Sequence, residues 1–167
     1  MQGKATIAGH PLHPILVTVP IGCFVAAVTA DIISIWAGPV FWAQMSTWLL
    51  LFGIVGSLVA AFFGFIDYLS APMTAVAKNL AAWHMTLNVA AIVVLGWACA
   101  IRFQDHTSVA GYALMGFGIV VLGISGYLGG EVAHRHLVGS DERDMGAARQ
   151  ADDRSGVSRP GNHRFGV

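Results

Sequence analysis

Four long apolar runs constrain what this chain can fold into more than any other feature of its sequence. They extend over about residues 15–36, 45–69, 79–101 and 109–130. Each is close to the roughly 20 residues that an α-helix needs to cross the hydrocarbon core of a bilayer. The segments around Leu50 and Val93 are apolar on every side of a helix, which suits lipid rather than water. Barrel strands would alternate polar and apolar residues, so the sequence predicts four transmembrane helices.

Composition argues against an ordinary soluble domain. Of the 167 residues, 56% are hydrophobic and only 11% are charged, and the mean hydropathy is +0.67. Charges are therefore too few to solvate the surface of a globular fold. The formal net charge is zero, which argues against a nucleic-acid partner, since such a partner needs a clustered basic face. Cys23 and Cys99 fall inside apolar runs, so a disulfide framework is not expected.

Short connections between the runs predict the fold class, an all-α integral membrane up-and-down four-helix bundle. The loops around Gly38, Pro72 and Asp105 are too short to form domains of their own. Pro14 suits the first position of a helix, and Pro20 is expected to kink the first crossing. The predicted transmembrane domain covers residues 1–138, with helices at about 14–37, 45–70, 79–102 and 109–131.

The distribution of positive charge predicts the orientation in the membrane. Four crossings place both termini on one side, where Lys4, Lys78 and Arg135 flank the runs. Only Arg102 flanks a run on the other side. By the positive-inside rule, both termini are cytoplasmic. Residues 139–167, in which Arg and Asp alternate among Gly, Ser and Pro, are predicted to form a disordered cytoplasmic tail.

Small residues line two of the predicted helices. Gly56, Ala60 and Gly64 recur every four residues in the second helix, and glycines are also frequent in the fourth. This spacing allows close helix contact in lipid. We expect these faces to pack within the bundle or against partner helices, including those of an oligomer.

Residues that can carry chemistry collect at one predicted membrane face. Four segments contribute to it: His10 and His13 before the first helix, Asp67 and Tyr68 at the end of the second, His84 early in the third, and Glu131, His134 and His136 after the fourth. His106 lies on the other side. Ionisable side chains at membrane depth are costly unless they pair or serve a function, so the topology predicts a histidine site at the cytoplasmic face.

His84 is the most informative member because it lies inside a crossing. Asn88 is one helical turn deeper on the same face and can hold its ring. A polar pair that joins two helices explains the same two residues. His10 and His13 flank prolines that fix the backbone, which suits a preorganised ligand, although His and Pro also simply begin helices at interfaces. Asp67 is a candidate hydrogen-bond partner for a histidine or a metal ligand.

Asp31 is a lone carboxyl inside the first crossing. We expect it to be neutral through burial, or paired with a hydroxyl such as that of Thr47 or Ser108. Together with Asp67 and His84 it is also a candidate for a proton relay, although no internal repeat of the kind found in transporters is visible.

The order and spacing of several short motifs resemble a known membrane family. These are His10-Pro-Leu-His13-Pro, Val19-Pro20-Ile-Gly22, Gly64-Phe-Ile-Asp67-Tyr68, His84-x-x-x-Asn88 and Gly126-Tyr-Leu-Gly129-Gly130, followed by His136. They are similar to the bacterial four-helix family known as domain of unknown function 2231, over about residues 8–139. The chain departs from the family at His134, where tyrosine is usual, and at Leu137, where glycine is usual. The resemblance implies a bacterial inner-membrane protein and assigns no activity, although some members look fused to Rieske-type iron–sulfur domains, which hints at electron transfer.

Three functions of different classes fit this pattern. The first is a b-type haem held by His13 and His84, in an electron carrier with a redox partner at the cytoplasmic face. The first and third helices lie diagonally in such a bundle, so these histidines can face each other, with glycines making room for the macrocycle. Supporting candidates for the cofactor site are His10, His136 and Asn88. The second function is a transition-metal site, with ligands drawn from His10, His13, His84, His136 and Asp67.

The third function is that of a structural or assembly subunit of a membrane complex, without a cofactor. The sequence contains no Gly-x-Ser-x-Gly elbow, no phosphate-binding glycine loop and no His-Glu-x-x-His helix. It therefore gives no basis for an enzymatic activity.

Overall fold

Four apolar crossings make up most of the computed structural model, which describes residues 6–7, 10–71 and 73–135, with side chains at 12–71 and 73–133. The helices are α1 (Leu12–Leu16), α2 (Thr18–Ser34), α3 (Pro39–Ser70), α4 (Ala75–Gln104) and α5 (Val109–Arg135). A short antiparallel pair, β1 (Thr6–Ile7) and β2 (His10–Pro11), precedes them. By length and composition, Leu12–Ser34, α3, α4 and Val109–Ala133 can each cross a membrane. The predicted all-α membrane bundle is confirmed, while residues 139–167 lie outside the described residues.

The first crossing contains a proline near its start and another one turn after Val17. α1 and α2 meet at Val17, whose backbone angles are helical (φ −66°, ψ −19°). Its N–H donates to the His13 carbonyl at 3.0 Å, so Leu12–Ser34 form one crossing. Pro20 has no N–H, and the carbonyl of Leu16 therefore lacks a donor four residues further on. A missing bond of this kind is the usual cause of a proline kink.

The helices α3 and α4 extend beyond their apolar runs at the N-terminal end. Gly38, with φ of 87°, allows the turn that precedes α3, and Pro39 occupies the first turn of that helix, six residues before the predicted start. Thr74 caps α4, since its hydroxyl accepts the N–H of Ala77 at 3.2 Å. Local capping residues, rather than hydropathy, therefore set these boundaries.

The bundle consists of two closely packed helix pairs, α2 with α3 and α4 with α5, and α3 joins them through a looser contact with α4. Glycines permit the close approach within each pair. A Cβ atom at Gly53 would collide with the ring of Phe24, and one at Gly118 would collide with the side chain of Leu95. Small residues thus allow helix contact here as they do in other membrane bundles.

Large apolar side chains cover the outside of the bundle. Trp36, Trp97 and Tyr127 are all exposed by more than two thirds of their surface, and such a surface is stable in contact with lipid rather than water. The loop between α4 and α5 is polar instead. There the hydroxyl and backbone N–H of Thr107 donate to the Asp105 carboxylate at 2.7 and 2.9 Å, and these bonds hold the pKa of that carboxyl below its usual range.

Candidate functional site

His13 on α1 and His84 on α4 face each other at one end of the bundle. Their ring centroids are 6.5 Å apart and their planes are nearly perpendicular, at 82°. Both side chains are partly buried. The fold thus brings together the two histidines that the sequence analysis paired, although they are 71 positions apart in the chain.

A backbone carbonyl of the neighbouring helix fixes each ring. Nδ1 of His13 lies 2.8 Å from the Ala60 oxygen on α3, and Nδ1 of His84 lies 2.7 Å from the Ser125 oxygen on α5. Because a carbonyl can only accept, each Nδ1 carries a proton and donates it. In the neutral imidazole the other nitrogen, Nε2, is then unprotonated. On each ring Nε2 is therefore the nitrogen that has a lone pair, which is the form of imidazole that can bind a metal ion.

Gly64 and Gly129 complete two similar half-sites. Each glycine lies one turn after the residue whose carbonyl holds the histidine. A Cβ atom at Gly64 would lie 2.8 Å from Nδ1 of His13, and one at Gly129 would lie 2.8 Å from Cε1 of His84. Only glycine leaves room for the rings at these positions. These two glycines accommodate the imidazoles themselves, whereas the sequence suggested that helix glycines would make room for a macrocycle.

The half-site of His84 has two further residues. Nδ2 of Asn88 lies 3.0 Å from Nε2 and 3.4 Å from Nδ1 of the same ring. An atom in the plane of the His84 ring at these distances from both nitrogens would collide with a ring carbon. The Asn88 amide therefore lies over the face of the ring. The in-plane lone pair of Nε2 therefore stays accessible.

Ser125 ties this half-site together through both its backbone and its side chain. Its hydroxyl donates to the backbone oxygen of His84 at 2.8 Å and accepts from Nδ2 of Asn88 at 2.9 Å. The side chain is fully buried, so these bonds satisfy a polar group that has no water to bind. Sequence reasoning missed Ser125, because a serine among the glycines of an apolar helix has no local signature.

The structure describes only some of the other predicted site residues. Asp67 lies near the end of α3 and Glu131 near the end of α5, at the same end of the bundle as the histidine pair. The side chain of His10, and the whole of His136, lie outside the described residues. Among the side chains that the structure describes, no three His, Cys, Asp or Glu residues gather closely enough to hold a metal ion between them.

The opposite end of the bundle contains a buried ion pair. The guanidinium of Arg102 donates to the Asp31 carboxylate through Nη1 at 2.7 Å and through Nη2 at 2.6 Å, and its side chain has no exposed surface. The expectation that Asp31 is neutral or bonded to Thr47 or Ser108 is therefore wrong. A bidentate arginine compensates the carboxylate charge better than a hydroxyl can.

Arg102 also contacts the two remaining crossings. Nη2 lies 3.2 Å from the Ala43 oxygen on α3, and the guanidinium carbon lies 4.6 Å from the centre of the Tyr112 ring on α5. The hydroxyl of Thr47 donates to the same Ala43 oxygen at 2.8 Å and accepts from Nδ1 of His106 at 3.1 Å. One arginine thus links all four crossings at this end.

Four apolar crossings, with a histidine pair at one end and a buried ion pair at the other, define a small multi-pass membrane protein. A family model described as predicted membrane protein (DUF2231) matches residues 9–142, and the chain belongs to this family. The resemblance drawn from its histidine, proline and glycine motifs is confirmed. No curated protein and no solved structure matches the chain.

Proposed function

We propose that this protein holds a b-type haem between His13 and His84 and serves as a one-electron carrier. The spacing of the two rings carries the proposal. With ring centroids 6.5 Å apart, the two Nε2 atoms cannot be closer than about 4 Å, which is too far for a direct hydrogen bond. A metal ion bound between two imidazoles needs their nitrogens to be about 4 Å apart, because each metal–nitrogen bond is about 2.0–2.1 Å long, and the spacing of the ring centroids is compatible with this.

The number of available ligands favours haem over a bare metal ion. Zinc and copper sites in proteins take three or four protein ligands, and the described side chains contain no group of three that could hold a metal ion. Haem supplies its own equatorial nitrogens and needs only axial ligands from the protein. The hydrogen bonds from both Nδ1 atoms to helix carbonyls support this role, since they fix the tautomer and raise the basicity of Nε2.

The position of the pair supports electron transfer at a membrane face. His13 lies at the start of the first crossing, whereas His84 lies nine residues after the start of α4, so His13 is the side of the site that is closer to a redox partner outside the bilayer. We place that face in the cytoplasm of a bacterium, with the protein in the inner membrane and both termini inside. Lys78 belongs to this face, whereas Arg102 at the other end is neutralised by Asp31. The bias of free positive charge is therefore stronger than the sequence alone suggested.

We expect detergent-purified protein, expressed with an adequate haem supply, to show a Soret band that shifts and sharpens on reduction. Replacing His84 with alanine is expected to lower the haem content at least tenfold, because its ring would bind the iron and is fixed by contacts with Ser125 and Asn88. The measurement is the ratio of Soret to protein absorbance, together with metal analysis of the same samples.

His106→Ala is the matched control for this experiment. It also removes a partly buried histidine, but at the opposite end of the bundle, where Thr47 is its partner. We expect the control to keep its haem. Stoichiometric metal without a Soret band would contradict haem binding and indicate a bare metal ion at the site. A protein with neither metal nor a Soret band would contradict the proposal and favour a structural role.

A further inference from the structure

The two closely packed helix pairs of the bundle contain the same arrangement of residues. In each pair, a histidine and a large apolar residue of the first helix lie against two glycines of the second. The members are His13, Phe24, Gly64 and Gly53 in one pair, and His84, Leu95, Gly129 and Gly118 in the other. Each residue of the first helix has its counterpart 71 positions later, and each residue of the second helix has its counterpart 65 positions later. The two pairs thus follow one pattern at constant offsets.

The amino-acid sequence repeats at the same offset in the second helix of each pair. Residues 52–55 and 117–120 both read Phe-Gly-Ile-Val, and a leucine stands three positions before each. Phe52 and Phe117 are both exposed on the outside of the bundle. The Ala60 and Ser125 carbonyls, which bind the two histidines, are also 65 positions apart. This corrects the expectation that the chain has no internal repeat.

A difference in the connections hides the repeat from a comparison at one fixed offset. The chain from Asp31 to Ser46 is six residues longer than the chain from Arg102 to Gly111, which are their counterparts. The offset therefore changes from 71 to 65 between the two helices of each pair.

Equivalent residues of the two pairs meet in the middle of the bundle. His13 and His84 lie with ring centroids 6.5 Å apart, and Asp31 binds Arg102 at 2.6 Å. Between these two levels, one buried core cluster contains two further equivalent pairs, which are Phe24 with Leu95 and Ala27 with Ala98. Because each helix pair crosses the membrane twice, both begin on the same side, as in repeats that are related by an axis along the membrane normal.

We infer that the chain consists of two copies of one helix-hairpin unit that meet across such an axis, and that Asp31 and Arg102 are the equivalent positions at which the copies recognise each other. The first unit comprises α1, α2 and α3, and the second comprises α4 and α5. The interaction surface of each unit is the side that faces the axis, and its partner is the other unit. This inference does not depend on what the histidine site binds.

The ion pair makes the recognition specific for unlike units. Two copies of the second unit would place two Arg102 side chains together on the axis, and two copies of the first would place two Asp31 carboxylates there. Arg102 has no exposed surface and Asp31 is only 16% exposed, so like charges would repel each other with little screening by water. Only the pairing of a first with a second unit gives the bidentate ion pair, while repulsion disfavours the alternatives.

Gly111 and Ser46 adapt the two units to side chains of different length. A Cβ atom at Gly111 would collide with Cγ of Arg102, so the long arginine side chain needs a glycine beside it. The counterpart of Gly111 in the first unit is Ser46, which is fully buried and lies on the helix that packs against Asp31. The shorter aspartate leaves room for a serine. An exchange of charge between the units must therefore exchange these two small residues as well.

A fourfold exchange variant of the full-length protein tests the inference. It combines Asp31→Arg, Arg102→Asp, Ser46→Gly and Gly111→Ser, so that each unit receives the outer-end residues of the other. We expect it to recover at least half of the loss in thermal unfolding midpoint that Arg102→Ala causes, measured by circular dichroism in detergent. Recovery is incomplete because Tyr112, which lies against the Arg102 guanidinium, has Thr47 as its counterpart.

The charge exchange without the two small-residue changes is the matched control. We expect the variant with only Asp31→Arg and Arg102→Asp to unfold no later than Arg102→Ala, because the new arginine would meet the Ser46 side chain. A fourfold variant that unfolds as early as Arg102→Ala would overturn the equivalence of the two charged positions. Equal recovery in both exchange variants would overturn the equivalence of Ser46 and Gly111, on which the alignment of the units rests.

Distances between spin labels test the same symmetry without a change at the ion pair. Ala26 on α2 and Phe117 on α5 have Trp97 on α4 and Phe52 on α3 as their counterparts, and all four are exposed. With both native cysteines replaced by alanine, labels at 26 and 117 are expected to show the same mean distance by double electron–electron resonance as labels at 97 and 52. A difference of one helical turn, about 5.4 Å, would overturn the two-fold relation even if no exchange variant folds.

Discussion

Replacing Arg102 with alanine is expected to destabilise the bundle more than any other single change at its polar positions. The substitution leaves the Asp31 carboxylate, only 16% exposed, without its partner, and breaking a buried ion pair from one side costs about 3–5 kcal/mol. It also removes the contacts of the guanidinium with α3 and α5. Thermal unfolding in detergent, followed by circular dichroism, measures the loss.

A double variant separates the charge effect from the loss of packing. Arg102→Met with Asp31→Ala removes both charges and keeps part of the buried volume, so we expect it to be more stable than Arg102→Ala. Lys78→Ala is the matched control, because Lys78 is exposed and its ammonium lies 5.7 Å from the centre of the Tyr68 ring. The single variants Arg102→Met and Asp31→Ala complete the comparison. If the double variant loses as much unfolding free energy as the two single variants together, the pair contributes no coupling energy.

If the protein holds haem as proposed, replacing Gly129 with valine is expected to remove it without a change at either histidine. The new Cβ would lie 2.8 Å from Cε1 and 2.9 Å from Nδ1 of His84, so the ring must leave the Ser125 carbonyl and the position that the proposed haem site requires. We expect haem content to fall at least tenfold, measured as the ratio of Soret to protein absorbance.

Gly126→Val provides the control on the same helix. A Cβ atom at Gly126 meets no atom within 4 Å, so this variant changes helix propensity by the same amount and leaves the site alone. Size-exclusion chromatography of both variants shows whether they fold. If Gly129→Val folds and keeps its full haem content, His84 does not bind the iron from the position described above.

The four crossings were predictable because each depends on a run of consecutive apolar residues, and not on contacts between distant parts of the chain. A bilayer requires about 20 consecutive apolar residues from each spanning helix, and such runs are visible in any sequence window. The meeting of His13 and His84 followed from the same reasoning, since an up-and-down topology returns every second helix end to one face. Their separation of 6.5 Å was beyond that reasoning, because it depends on which residues pack between the helices.

One reason explains why neither the buried ion pair nor the role of Ser125 could be predicted from the sequence. Asp31 and Arg102 are 71 positions apart, and each has an ordinary interpretation alone, as a lone carboxyl and as a charge at a helix end. Ser125 is likewise one small residue among glycines. Polar contacts in a membrane bundle depend on the rotation of each helix about its axis, and hydropathy does not report that rotation.

The direction of the helices adds a consequence for any unsymmetrical ligand. α1 and α4 run the same way through the membrane, and α3 and α5 run the opposite way, so the two half-sites are built from helix pairs of the same relative direction. A flat molecule between the two histidines would meet an imidazole, a carbonyl and a glycine on either side. Because these groups are the same on both sides, they do not determine which face of a macrocycle is directed at His13 and which at His84. Among the described residues, Asn88 and Ser125 break the equivalence and can favour one orientation.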